Sequence, residues 1–201
     1  MTILIQLYVV IRMLLGAPLD VLIDREHGLP PWYDPGPQLE ATQAWEALQQ
    51  AANEAGLKID NLSGYRTYEQ QTQAYTREVS KLGEKADLTI AMPGHSEHQL
   101  GTVFDVVWPG VIMGAHDIRN DQLYRWLNQN AHHFGFVLSY PYKVSEEWPY
   151  SNRLMPVVTD YIHEPWHIRY VGVELARSLF AAGYLEPDNP VLPQDFYRIW
   201  P

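Results

Sequence analysis

The sequence predicts an α+β fold in one principal domain. Helical periodicities and short strand-like runs are mixed along the chain without regular βαβ alternation. The 201 residues contain no internal repeat, low-complexity tract or linker. At 46% hydrophobic and 19% charged content, the chain is long and apolar enough to bury a real core, which excludes wholesale disorder. We divide it into an apolar N-terminal segment, residues 1–20, and a folded domain, residues 21–201.

Residues 2–15 (TILIQLYVVIRMLL) run into the small pair Gly16-Ala17. This resembles a signal-peptide core, but no basic region precedes it and Arg12 interrupts it. The stretch is short for a membrane span. It stands either as an export signal or anchor, or as a buried element or imperfect translation start. Any membrane contact is expected through residues 1–16 alone.

Residues 19–23 form a strand candidate, and the Pro- and Gly-rich residues 24–32 an extended surface loop. Leu39, Ala44, Trp45, Leu48, Ala51, Ala52 and Ala55 keep helical spacing up to the stop at Gly56. Residues 57–62 alternate as a strand and deliver the chain to Ser63-Gly64-Tyr65-Arg66-Thr67. A second helix is expected over 68–82, with Thr67 as N-cap, Glu69 in the first turn and Gly83 as its end. A loop then leads through Pro93 and Gly94.

Residues 102–108 (TVFDVVW) make the best strand in the sequence. Asp105 within it is anomalous, because a carboxylate in so apolar a strand is costly unless paired or metal-bound. Residues 121–133 form an amphipathic helix carrying Leu123, Trp126, Leu127 and Ala131, stopped by Gly135. A strand over 136–140 closes at Pro141. Residues 142–160 lack periodicity and suit a loop over a site. A strand over 167–171, a helix over 172–182, Gly183 and a Pro-bearing tail complete the chain.

The formal charge of −10, without any basic cluster, argues against a nucleic-acid partner. Seven Trp and thirteen Tyr are enough both for a core and for the lining of a groove. Cysteine is absent, so a metal must sit on His, Asp or Glu, which suits a catalytic zinc site. His98, just before the strand, Asp105, within it, and His167, opening a later strand, offer two imidazoles and one carboxylate for one metal. Three protein ligands with an open fourth position are what such a site requires. Glu164, three residues before His167, is placed to take a proton from a bound water. Pro165 between them rules out the helical HExxH arrangement. His27, His116, His132 and His133 have no partner pattern and are taken as structural or solvated. His95 and His163 flank the site as candidate supporting groups.

Four motifs occur in order: Ser63-Gly64-Tyr65-Arg66-Thr67 with Gln71; Pro93-Gly94-His95-Ser96-Glu97-His98-Gln99-Leu100-Gly101 through Asp105; Gly135-Phe136 before Tyr140-Pro141; and Glu164-Pro165-Trp166-His167 through Tyr170-Val171-Gly172. Together they resemble the VanY-type D-alanyl-D-alanine carboxypeptidases and the related L,D-carboxypeptidases of bacterial cell walls. The likeness covers roughly residues 22–183. It implies a small antiparallel sheet flanked by helices, as in the Hedgehog and DD-peptidase group, and a zinc carboxypeptidase that removes a terminal D-alanine from peptidoglycan stem peptides. It further implies His98, Asp105 and His167 as Zn²⁺ ligands, Glu164 as general base and Arg66 as the group that orients substrate and steadies the oxyanion. Ser96 and Gln71 match positions lining the substrate groove. A peptidoglycan endopeptidase and a non-catalytic, Hedgehog-like binding module are the competing readings. Retention of Glu164 beside all three ligands counts against the module. Two features depart from the family pattern, both on the substrate side: Ser139 replaces an Arg, and residues 142–163 form a longer connection. A monomer acting at the bacterial cell envelope or outside the cell is expected, with Arg66→Ala costing little stability because Arg66 sits in a turn.

Overall fold

The computed structural model describes residues 19–108, 122–141, 161, 163–189 and 191–199. Its element order is β1 (Val21–Leu22), α1 (Leu39–Glu54), β2 (Asp60–Ser63), α2 (Tyr68–Leu82), β3 (Val103–Val107), α3 (Gln122–Asn130), β4 (Phe136–Leu138), β5 (His167–Tyr170), α4 (Val173–Ala181) and β6 (Arg198–Ile199). An antiparallel four-stranded sheet has the order β2-β3-β5-β4, and β1 pairs with β6 in a separate parallel pair. The α+β class holds, as does the small antiparallel sheet flanked by helices.

Helix α2 begins where its capping chemistry places it. Thr67 Oγ1 accepts from Gln70 N at 3.1 Å, and Gln70 Oε1 accepts from Thr67 N at 2.9 Å. Gly83 ends it at φ 60°. Helix α1 buries Ala41, Trp45, Leu48 and Ala52, the i, i+4, i+7 stripe that faces the core. Its first apolar residue, Leu39, is 71% exposed and lies outside that stripe.

Strand alternation then separates the functions of the two sheet faces. On β3, Phe104 and Val106 enter the main core; on β5, Ile168 and Tyr170 do the same. Trp45 stacks on Phe104 with ring centroids 5.0 Å apart, and Phe104 meets Phe136 edge-on at 5.8 Å. Leu123, Leu127, Ala176 and Leu179 from α3 and α4 belong to the same cluster. The alternate residues, Asp105 on β3 and His167 and Arg169 on β5, must therefore project from the opposite face. Asp105 and His167 are also direct register partners. Successive polar residues in apolar strands thus converge at one place.

Four expectations are corrected. Residues 24–32 are not simply a surface loop: Leu29 and nearby Tyr33 are buried with Val21, Ile23 and Leu100 in a second, smaller core. The Leu29 amide also donates to the Gly94 carbonyl at 2.8 Å, so the loop is packed onto the segment that carries His98. The helix expected over 121–133 is α-helical only to Asn130, its last turn tightening into a 3₁₀ segment, Ala131–Phe134. The segment expected as a loop after Gly83 contains a further 3₁₀ turn, Gly83–Leu88. The tail returns as β6, because it finds a strand edge at β1 that no local pattern announces. The apolar residues 1–16, His116 and the polar stretch 142–160 lie outside the described residues. No described helix is long and apolar enough to cross a membrane.

Candidate metal and catalytic site

His98 is delivered by a 3₁₀ turn, Glu97–Leu100, whose N-cap Ser96 accepts from the His98 amide. Gly101 closes that turn at φ +75° and points the chain into β3. A side chain there would collide with the Gly36 carbonyl oxygen, so both the conformation and the close approach call for glycine. The His98 ring is fixed by donating Nδ1–H to the Gly64 carbonyl at 2.6 Å. Nε2 is thereby left 3.4 Å from Asp105 Oδ2.

His167 is oriented in the opposite sense. Its Nε2 lies 3.1 Å from Glu97 Oε2, and its Nδ1 lies 3.3 Å from Asp105 Oδ1. The two imidazoles meet edge to face at 5.1 Å. Donor atoms of His98, Asp105 and His167 all fall within 4.8 Å of one another, and all three residues are buried. Asp105 Oδ1 is buried without a hydrogen-bond partner, although His167 Nδ1 is close by. A buried carboxylate with one oxygen beside each imidazole, and one of those oxygens unbonded, is a donor set suited to a cation. Two nitrogens and one carboxylate, with no thiolate, fit Zn²⁺.

Electrostatics agree with that chemistry. Burial opposes ionisation of Asp105, yet His98 and His167 hold its carboxyl well below the usual carboxylate range. Burial also disfavours charge on His167, but the carboxylates of Asp105 and Glu97 beside it, with the charge of Glu164, outweigh this and raise it to about 10. A proton and a cation therefore compete for the same Nδ1 lone pair.

Glu164 follows a different course. Its Oε2 lies 3.6 Å from His167 Nδ1, and its backbone is pinned by donating to the Tyr140 carbonyl at 3.2 Å. Burial dominates and, with repulsion from Asp105 and Glu97, outweighs the attraction of His167 and Arg66, pushing the carboxyl up to about 7. A carboxyl near neutrality can both take and return a proton.

Arg66 is half-buried. Its Nη1 donates to Gln71 Oε1 at 2.6 Å and its Nη2 to Ser63 Oγ at 2.8 Å. The charges of Asp105 and Glu164 both act on it. Gln71 is 1% exposed and spends its amide nitrogen on the Ala91 carbonyl at 2.6 Å. Gln71 and Ser96 are thus buried groups that hold Arg66 and His98.

The other described histidines have partners of their own. His95 Nδ1 meets the Asp24 carbonyl at 2.8 Å and His163 Nδ1 the Tyr140 carbonyl at 2.8 Å. His27 pairs with Asp24, and His132 stacks on Phe180 at 3.7 Å. Glu97 was not singled out from sequence, yet it is fully buried between His167 and Arg169. Its partner Arg169 stands 72 residues away, and nothing local marks the pair.

Residues 37–173 match the family VanY, D-alanyl-D-alanine carboxypeptidase. The chain is 31% identical over 184 residues to a D-alanyl-D-alanine carboxypeptidase of Enterococcus faecalis, covering 81% of this chain and 62% of that protein. It therefore spans about three fifths of that curated relative. Among solved structures it superposes with TM-score 0.67 and 27% identity on a mutant of the vancomycin resistance D,D-pentapeptidase VanY from a VanB-type cassette in complex with Zn(II), covering 89% and 98% of the two chains. The LdcB LD-carboxypeptidase matches with TM-score 0.65 and 31% identity over 85% and 88%.

Proposed function

The chain belongs to the VanY family of D-alanyl-D-alanine carboxypeptidases, and on that premise we propose that it is a zinc carboxypeptidase removing the C-terminal D-alanine of peptidoglycan stem peptides at the bacterial cell envelope. The observation that carries this reading is the convergence of the three buried donors with Glu164 beside them. His98 Nε2, Asp105 and His167 Nδ1 would hold the ion. When bound, zinc supplies Lewis acidity and makes water a nucleophile near pH 7.

The chain's own groups do the rest. Glu164 accepts the proton released as water adds to the scissile carbonyl, then gives it to the nitrogen of the departing D-alanine as the C–N bond breaks. The Arg66 guanidinium, aimed by Gln71 and Ser63, balances charge developing on the carbonyl oxygen. Gln71 and Ser96 act through Arg66 and His98.

Mass spectrometry of purified muropeptides before and after incubation tests the reading. Loss of one alanine is expected. Two peptide fragments would mark an endopeptidase, and an unchanged spectrum a binding module. Either outcome overturns the proposal.

A further inference from the structure

Behind the three donors lies a buried chain of charge. His167 Nε2 faces Glu97 Oε2 at 3.1 Å; Glu97 Oε1 accepts from Arg169 Nη1 at 2.6 Å; and both Glu97 and Arg169 side chains are wholly buried. Arg169 Nη2 goes on to the carbonyls of Leu19 and Val21 at 2.9 and 2.6 Å, and its guanidinium lies 4.3 Å from the Tyr197 ring centre.

We propose that Glu97, clamped by Arg169, is a positioning residue that selects Nδ1 of His167 as the metal-binding atom. A carboxylate only accepts, so the nitrogen facing it must carry the proton. With Nε2–H committed to Glu97, the Nδ1 lone pair is turned to the space shared with Asp105. His98 reaches the same end by the mirror choice, giving Nδ1–H to Gly64 and presenting Nε2. The site therefore uses one imidazole of each tautomer, each chosen by an acceptor outside the ligand set. Arg169 fixes which Glu97 oxygen faces which partner. This inference rests on the metal site proposed above.

The decisive substitution is Glu97→Gln. With Arg169 present, the Gln oxygen is drawn to the guanidinium and its NH₂ is turned to His167. An NH₂ facing Nε2 demands an unprotonated Nε2 and drives the proton onto Nδ1, the wrong tautomer. In the double variant Glu97→Gln/Arg169→Met the amide is free to rotate, so its oxygen can again accept from Nε2–H.

Zn²⁺ affinity by chelator competition and histidine ¹H–¹⁵N spectra of the zinc-loaded protein read this directly. We expect Nδ1 coordination by His167 in the wild type, a roughly 10–100-fold weaker site in Glu97→Gln and substantial recovery in the double variant. A role in packing alone predicts no recovery. Nε2 coordination by His167 in the wild type, affinity of Glu97→Gln within twofold of wild type, or a double variant no tighter than the single one overturns the inference while leaving the metal site standing. A wild type that binds no zinc overturns both. The wild-type spectrum needs no variant, so the test survives misfolding of either.

Discussion

Replacing Arg66 with Ala separates a catalytic role from a structural one, and the structure sets both magnitudes. Two hydrogen bonds are lost, to Gln71 Oε1 and to Ser63 Oγ. Ser63 is half-buried and can turn to water. Gln71 is 1% exposed, so its amide oxygen is left buried without a donor. An orphaned buried acceptor costs about 1–3 kcal/mol. For a chain of this size each kcal/mol lowers the melting temperature by about 2–4 °C, so a fall of roughly 2–12 °C is expected. That exceeds the small cost inferred from its position in a turn. Turnover should fall by about 100-fold or more from loss of the oxyanion partner. Thermal unfolding and D-alanine release are measured on the same preparations of wild type, Arg66→Ala, Gln71→Ala and the double variant. A coupling of about 0.5–3 kcal/mol between the two sites is expected. Additive stability effects, with an unshifted melting temperature for Arg66→Ala, would refute the buried-acceptor reasoning. Undiminished turnover would refute the role at the oxyanion.

Glu164→Gln should keep its zinc and substrate affinity while kcat drops roughly 10²–10⁴-fold, since only proton transfer is removed; loss of metal with rate would make Glu164 a ligand instead. His98→Ala or His167→Ala should empty the site, and elemental analysis finding wild-type zinc in either variant contradicts the ligand set. Gly101→Ala forces a side chain into the left-handed region, at about 1–2 kcal/mol, and displaces the Gly36 carbonyl. Its melting temperature and zinc affinity should fall together, and a drop in one alone would disconnect the turn from His98. Tyr170 donates its hydroxyl to Glu40 Oε1 at 2.8 Å, and burial, then that bond and the Glu40 charge, push the phenol up to about 12. The folded value lies above the unfolded one of about 10, so this contribution is fully present below pH ~10 and disappears as pH rises toward 12. Tyr170→Phe should flatten that part of the alkaline stability curve, measured by denaturant titration; an unchanged slope there rejects it.

What could be read from the sequence was what local chemistry decides. Thr67 announces the start of α2 as its N-cap, and the structure adds Gln70, which completes a capping box with it. Asp105 stood out because a carboxylate among Val and Phe is costly anywhere. His167, paired opposite it, followed from an ordered motif. Glu97 stayed hidden in plain sight beside His98, since its meaning depends on an arginine 72 residues later. The buried placement of Gln71 was equally silent, because a polar residue on a polar helix gives no sign that the helix turns it inward. The short β6 strand lacks a periodicity of its own and exists by virtue of the edge it meets. Residues 24–32 carry turn composition, yet Leu29, with Tyr33 just beyond them, is buried in one cluster with Leu100 of the His98 motif.

Arg169 gives the molecule a late step in its assembly. Its bond to Leu19 joins residues 150 positions apart, and the β1–β6 pairing joins Val21 to Arg198. Contacts so distant in the chain carry the full entropy of loop closure before they return any enthalpy, and they slow folding accordingly. During synthesis the strand that receives Arg198 waits, unpaired on that edge, until residue 198 has emerged. The guanidinium that clamps Glu97 is braced from that same strand. A nascent chain can thus hold its sheet, its helices and its three donors while the brace behind His167 is still incomplete. Full metal competence would then follow the meeting of β1 with β6.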